Sequence, residues 1–117
     1  MQSFGYRAFK PLGPITIIAG DTTAPTGVQV TGPQKAPEPV SYEVGNPSLN
    51  DAYLGWAPTA AGATTNTVIP TAGNPKQNCT WIPAKSIRAM SFPFNSFFSA
   101  ITAAGTAGIT MQAGEGR

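Results

Sequence analysis

The side chains best suited to chemistry in this 117-residue sequence are five carboxylates and one thiol. The carboxylates fall in five separate segments, at Asp21, Glu38, Glu43, Asp51 and Glu115. A glycoside hydrolase needs two carboxylates that face one sugar bond, and only Glu43 and Asp51 could meet, across a predicted hairpin. Solvation at a turn or a sheet edge explains these two acids equally well, so the pattern does not require a catalytic pair.

Histidine is absent from the sequence, which narrows the chemistry further. Cys79 has no imidazole to activate it as a nucleophile and no second cysteine for an internal disulfide, as in proteins of a reducing cytoplasm. One cysteine also falls short of a usual zinc shell. We therefore expect that the protein is not an enzyme, and that it has no metal site and no cofactor. Cys79 is expected in the interior as a small apolar residue.

Charge is sparse along the whole chain. Charged residues make up 10% of the sequence, against about 25% in an ordinary soluble domain. The net charge of +2 comes from scattered cations, which disfavours a nucleic-acid partner. The apolar run 14–19 is too short to span a bilayer and no secretory signal is visible, so no membrane partner is expected. Low charge with 41% hydrophobic residues favours a surface that other proteins cover, the alternative being a neutral monomer of ordinary solubility.

Residues 1–13 are the best candidates for contact with such a partner. Three rings, Phe4, Tyr6 and Phe9, alternate with small or basic residues, and Arg7 and Lys10 add positive charge. Two nearby prolines favour extended chain over helix. Because rings and arginines supply much of the energy of interfaces, we predict an extended N-terminal arm whose five side chains anchor in a partner's groove. The alternative is a first strand that packs on its own domain.

Residues 14–117 are predicted to form one all-β domain. Short apolar or alternating runs recur between Gly, Pro, Asn and Asp, which is typical of sandwiches and barrels. The predicted strands are 14–19, 27–30, 40–44, 51–56, 67–69, 78–82, 86–92, 97–101 and 108–111. Eight or nine short strands favour an antiparallel β-sandwich of jelly-roll type, with a closed barrel as the alternative.

Pairing and loops follow from the order of these runs. Strands 40–44 and 51–56 are expected to form a hairpin, and strands 97–101 and 108–111 to pair with each other. The small, polar segment 57–66 is expected to be an exposed loop.

Aromatic residues concentrate in the strand-rich part of the chain, at Trp56, Trp81, Phe92, Phe94, Phe97 and Phe98. Such rings usually fill the core of a sandwich, where each one buries a large area. The alternative is that exposed Tyr53, Trp56 or Trp81 form a flat platform that stacks against sugars or single-stranded nucleic acid.

The succession of turns and strands resembles a group of small structural proteins of tailed bacteriophages. The resemblance lies in residues 42–46 (YEVGN), 51–56 (DAYLGW) and 68–73 (VIPTAG), and in the ending, 97–107 (FFSAITAAGTA) and 109–116 (ITMQAGEG). It covers roughly residues 40–116 and contains no catalytic motif, so it carries over no functional residue.

The resemblance implies a virion component: a capsid decoration or cement protein, a head-fibre base, or a minor neck or tail protein. The implied partners are the major capsid protein and further copies of this chain, as a dimer or trimer. The implied location is the capsid surface, after assembly in the host cytoplasm. A carbohydrate-binding or host-recognition module is the alternative function, because fold alone does not decide function.

Overall fold

Strands dominate the computed structural model, which describes residues 10–30, 40–93 and 95–115. In this part of the chain there are eight strands and one short helix. They are β1 (Lys10–Asp21), β2 (Val28–Gln29), β3 (Val40–Asn46), β4 (Ala52–Ala57), α1 (Ala60–Asn66), β5 (Cys79–Ile82), β6 (Ser86–Phe92), β7 (Phe97–Ile101) and β8 (Ala107–Glu115). The all-β class is confirmed.

All eight strands belong to one mixed sheet in the order β5-β4-β7-β1-β8-β3-β6, with β2 also paired to β7. The sheet is nearly barrel-shaped. Most pairs are antiparallel, but β1 and β7 run parallel at Gly20 and Asp21. The jelly-roll sandwich of two antiparallel sheets is not confirmed. The closed barrel that the sequence left as its alternative is nearer to this shape.

Two of the predicted pairings are wrong. β3 pairs with β6 and β8, so no hairpin joins it to β4. β1 lies between β7 and β8, which therefore do not pair with each other. The turn after β3 is instead organised by the buried side chain of Asn46. Its Nδ2 donates to the carbonyls of Asn50 and Ile82, both at 2.9 Å, and its Oδ1 accepts from Ser48. These bonds hold the turn through which the chain leaves β3. The next strand, β4, lies near the other end of the sheet.

The predicted exposed loop 57–66 is wrong, because it contains helix α1. Thr59 caps the helix, and its Oγ1 accepts from the backbone N–H of Gly62 at 3.0 Å. Ala63 is fully buried against the sheet. The predicted strand 67–69 is also wrong, because Thr67 closes the helix through bonds to the carbonyls of Ala63 and Thr64. A seven-residue helix of small residues is too short to show a helical period.

The core lies inside the curved sheet and centres on an aromatic cluster of four rings. The rings of Tyr42, Phe92 and Phe98 contact one another with centroids 5.0–5.7 Å apart. Trp56 packs edge-on against Phe92 at 4.9 Å. The core prediction is thus confirmed for Phe92 and Phe98, whereas Trp56 is partly buried and packs against the core. Phe97 is half-buried and Phe94 lies outside the described residues.

Trp81 departs from that prediction, because half of its surface is exposed. It lies on β5 between Thr80 and Ile82, and Ile82 is the residue of this strand that enters the core. The alternation of side chains along a strand therefore turns Trp81 outward.

Strand β1 begins earlier than the sequence indicated. Lys10 and Pro11 pair in register with Glu115 and Gly114 of β8. Residues 10–13 therefore belong to the domain, although the sequence assigned them to the arm. Residues 1–9 lie outside the described part of the chain.

Candidate interaction surface

Glu43 and Asp51, the two acids that a hairpin could have brought together, lie on or beside strands that are not neighbours. β3 and β4 are separated in the sheet order, so no hairpin joins these two carboxylates. Asp51 accepts instead from the backbone N–H of Ala84 at 2.9 Å. Within residues 10–30, 40–93 and 95–115, no group of three or more Cys, Asp or Glu is placed to hold a metal.

Cys79 is half-buried, and its Sγ lies 3.5 Å from the carbonyl oxygen of Val68. Burial raises the pKa of this thiol, although two backbone hydrogen bonds oppose the shift. A reactive cysteine needs a lowered pKa, so the shift disfavours a nucleophile. In the described part of the chain, no helix has the length and apolarity that crossing a bilayer requires.

The most unusual surface is the outward side of β1, β8, β3 and β6, which carries three exposed isoleucines. Ile15 and Ile17 are each 63% exposed, and Ile87 is 65% exposed. We call this surface the isoleucine face. Single exposed apolar residues are common on proteins, but three on one side of one sheet form a patch of the kind that partners cover.

Strand register sets the geometry of the isoleucine face. Ile17 pairs with Thr110, Thr110 with Gly45, and Gly45 with Ile87, so two isoleucines end one row across four strands. At a strand spacing of about 4.8 Å, the row is about 14 Å wide. The two middle residues are small, so the row has a raised isoleucine at each end and a trough between them.

Gly45 is the residue that keeps the trough low. A Cβ at this position would lie 2.8 Å from Oγ1 of Thr110. A hollow of about 410 Å³ opens beside it, between Ile87, Thr110 and Pro47, and Lys85 also lines it. The isoleucine face is therefore ridged rather than flat, which favours a partner of complementary shape.

The neighbouring row of the isoleucine face carries the only ionisable residue of the two rows. It runs Ile15, Gln112, Glu43 and Ala89 in register. Gln112 is held in place because its Nε2 donates to the carbonyl of Gly13 at 2.7 Å. Glu43 is half-buried and lies near the middle of the row. A partner would therefore need an apolar surface with one cation or hydrogen-bond donor opposite Glu43.

The sequence missed the isoleucine face. The alternation Ile15-Thr16-Ile17 places both isoleucines on one side of the strand without telling which side, and it is Ile18 that lies in the core. One signal could have revealed the isoleucine face. β1 is apolar on both of its sides, whereas a strand with one solvated side alternates apolar and polar residues. Of the predicted anchor residues, Phe4, Tyr6, Arg7 and Phe9 lie outside the described residues, and Lys10 starts β1.

The sheet has a gap between its two end strands, β5 and β6, which we call the seam. Residues 83–85 connect these strands directly, with Lys85 in the left-handed region at φ 58°. The guanidinium of Arg88 donates across the seam to the carbonyl of Trp81. This side-chain hydrogen bond spans the seam, where backbone hydrogen bonds between β5 and β6 would close a barrel.

Comparison with known proteins adds no relative. No protein-family model, curated protein or solved structure matches this chain. The resemblance to phage structural proteins therefore stays a prediction, and the function has to be argued from the residues themselves.

Proposed function

We propose that this protein is a structural component of a tailed-bacteriophage particle, a decoration or cement protein whose isoleucine face lies against the major capsid protein. One observation supports this above all others. Ile15, Ile17 and Ile87 are about two-thirds exposed, although the curved sheet already holds a full aromatic and aliphatic core. The folded core is complete without these three side chains, which remain exposed to solvent. An interface with another protein would bury them.

The free energy available from covering the isoleucine face fits a protein that attaches in many copies. Full burial of an isoleucine side chain contributes about 1.5–3 kcal/mol, so covering three that are partly exposed contributes about 3–6 kcal/mol before the cost of association. Such a contact is weak by itself because association costs about 4–15 kcal/mol. Oligomerisation and several contacts per oligomer compound weak contacts into stable attachment. The proposal therefore includes a dimer or trimer on the capsid surface.

The predicted anchor fits the same proposal. In this proposal the rings of Phe4, Tyr6 and Phe9 and the charges of Arg7 and Lys10 add further contacts to the capsid protein. The proposal assigns the protein neither catalysis nor a cofactor, and neither nucleic acid nor a membrane is its partner.

Replacing isoleucines of the face tests the attachment. We expect the double variant Ile17→Ser and Ile87→Ser to bind purified heads lacking the protein about tenfold or more weakly, because most of the apolar contact is lost. Co-sedimentation with the heads measures the binding. Leu49→Ser is the matched control, since Leu49 is 83% exposed and lies on the turn between β3 and β4, outside the face. If the double variant bound the heads as tightly as Leu49→Ser, the isoleucine face would not be the contact.

A further inference from the structure

A second surface, on β4 and β5, carries two aromatic side chains that the aromatic cluster does not include. Tyr53 and Trp81 are directly opposite each other in the antiparallel pair. Residues so placed have Cβ atoms about 4.5–5.5 Å apart and project to the same side of the sheet. Trp81 is half exposed and Tyr53 is partly exposed, so both side chains reach the surface on the same side of the sheet.

A hollow adjoins Tyr53 on this side of the sheet. It measures about 370 Å³, and its wall includes Leu49, Asn50, Asp51, Tyr53, Ile69 and Ala103. This volume lies within the range of about 300–1,000 Å³ that small-molecule sites occupy. Apolar side chains and the ring of Tyr53 form part of the wall, and an amide and a carboxylate form another part.

The polar groups of the hollow are held in position by backbone bonds. Nδ2 of Asn50 donates to the carbonyl of Thr106 at 2.9 Å. Oδ1 of Asp51 accepts from the N–H of Ala84 at 2.9 Å. Because a carboxylate or amide oxygen has more than one lone pair, both side chains keep acceptor capacity for the hydroxyl groups of a ligand.

We propose that Tyr53, Trp81 and this hollow bind a chain of neutral pyranose sugars. One face of a pyranose presents C–H groups, whose partial positive charge suits the negative face of an aromatic ring. Its rim presents hydroxyl groups, which suit Asn50 and Asp51. The Asp51 carboxylate disfavours acidic sugars and the phosphates of nucleic acid by charge repulsion.

The strand order places this site away from the isoleucine face. In the sheet order, β4 is the third strand from β8 when counted through β1 and β7. Counted the other way, through β3, β6 and then β5 across the seam, it is the fourth. In a nearly barrel-shaped sheet, this separation turns the two surfaces to opposite sides. A molecule attached by the isoleucine face would therefore present Tyr53 and Trp81 to the medium. Sugar binding goes beyond the structural role and can be measured without particles.

Titration of the full chain in solution, followed by NMR of the two tryptophan indoles, tests the site. The probes are hexasaccharides of glucose, mannose, galactose and N-acetylglucosamine, with hexagalacturonate as the acidic counterpart and an oligo-dT strand as the nucleic acid. We expect a saturable shift of the Trp81 indole with at least one neutral probe, at a dissociation constant of about 1 mM or below. The Trp56 indole is the internal reference because its ring packs against Phe92.

Variants separate this site from adventitious binding. Tyr53→Ala and Trp81→Ala should each weaken binding about fivefold or more, whereas Tyr53→Phe keeps the ring and the affinity. Isothermal titration calorimetry compares the variants with the parent, because Trp81→Ala lacks the indole that reports binding in the NMR titration. Ile87→Ser, on the opposite surface, should bind the sugar unchanged. The proposal is overturned if none of the four neutral probes shifts Trp81 saturably, or if only hexagalacturonate or oligo-dT does. It is also overturned if Tyr53→Ala and Trp81→Ala bind as tightly as the parent. Binding to heads does not enter this test, so its failure would leave the attachment proposal standing.

Discussion

Tyr42 lies at the centre of the aromatic cluster, with only 1% of its surface exposed. Burial raises the pKa of its phenol, because the charged phenolate loses solvation inside the sheet. The folded state therefore favours the neutral phenol, whereas the phenolate forms more readily in the unfolded chain.

The direction of this shift predicts how stability depends on pH. The contribution of Tyr42 is complete below the unfolded pKa of about 10 and is lost as pH rises from there through the higher folded pKa. In that interval, we expect the free energy of unfolding to fall by about 1.4 kcal/mol per pH unit. Urea unfolding between pH 8 and 12 measures this loss.

Comparison with Tyr42→Phe isolates the phenol. Both proteins should carry Cys79→Ala, because the raised pKa of that thiol gives a loss of the same sign near pH 9. The free energy of unfolding of the protein with Tyr42, minus that of Tyr42→Phe, should be constant below pH 9 and should fall above about pH 10. A difference that stays constant up to pH 12 would show that Tyr42 titrates alike in both states.

At the scale of elements, helix α1 lies against the sheet because Gly55 leaves room for it. A Cβ at position 55 would clash with Oγ1 of Thr67 and would lie 2.8 Å from the Cα of the same residue. Thr67 ends the helix, so no side-chain movement alone relieves this contact. The backbone itself has to shift.

We therefore expect Gly55→Ala to destabilise the protein by about 2 kcal/mol or more, as overpacking of a well-packed site does. Chemical denaturation measures the change. Gly108→Ala is the matched control, since its Cβ would meet only Cγ2 of the exposed Ile17, at 3.2 Å. Equal stability of the two variants would mean that α1 does not pack on Gly55 as described.

Elements differed in how well the sequence predicted them. Strand β6 matched the predicted range 86–92, because a β-type run stands between two prolines that mark its ends. Helix α1 was missed because its burial depends on Gly55, a residue of another element. The pairing of β1 with β7 and β8 was missed because the sequence favours neighbours along the chain, whereas β1 and β8 lie about 90 residues apart.

The candidate surfaces were less predictable than the strands. The sequence turned Tyr53 outward but assigned Trp81 to the core, and it named an exposed platform of these residues only as the alternative. Alternation does not tell which face of an isolated strand becomes the core. For Ile15 and Ile17 the same ambiguity left the exposed side undecided. Only the assembled sheet shows these residues to be exposed.

The whole molecule has two surfaces with different chemistry on opposite sides of one curved sheet. The isoleucine face is apolar, ridged and nearly uncharged, which suits permanent contact with protein. The side with Tyr53 and Trp81 combines rings with hydrogen-bonding groups, which suits a polar ligand reached through solvent. A protein that attaches to a shell by one surface and meets the medium with the other needs this arrangement.

Cryo-electron microscopy of phage particles that carry this protein tests the central claim most directly. The account predicts density for the protein on the capsid exterior, in many copies at the symmetry positions of the shell, with Ile15, Ile17 and Ile87 against the major capsid protein. Density that shows these three isoleucines facing solvent, or that places the protein elsewhere than on the capsid exterior, would contradict it.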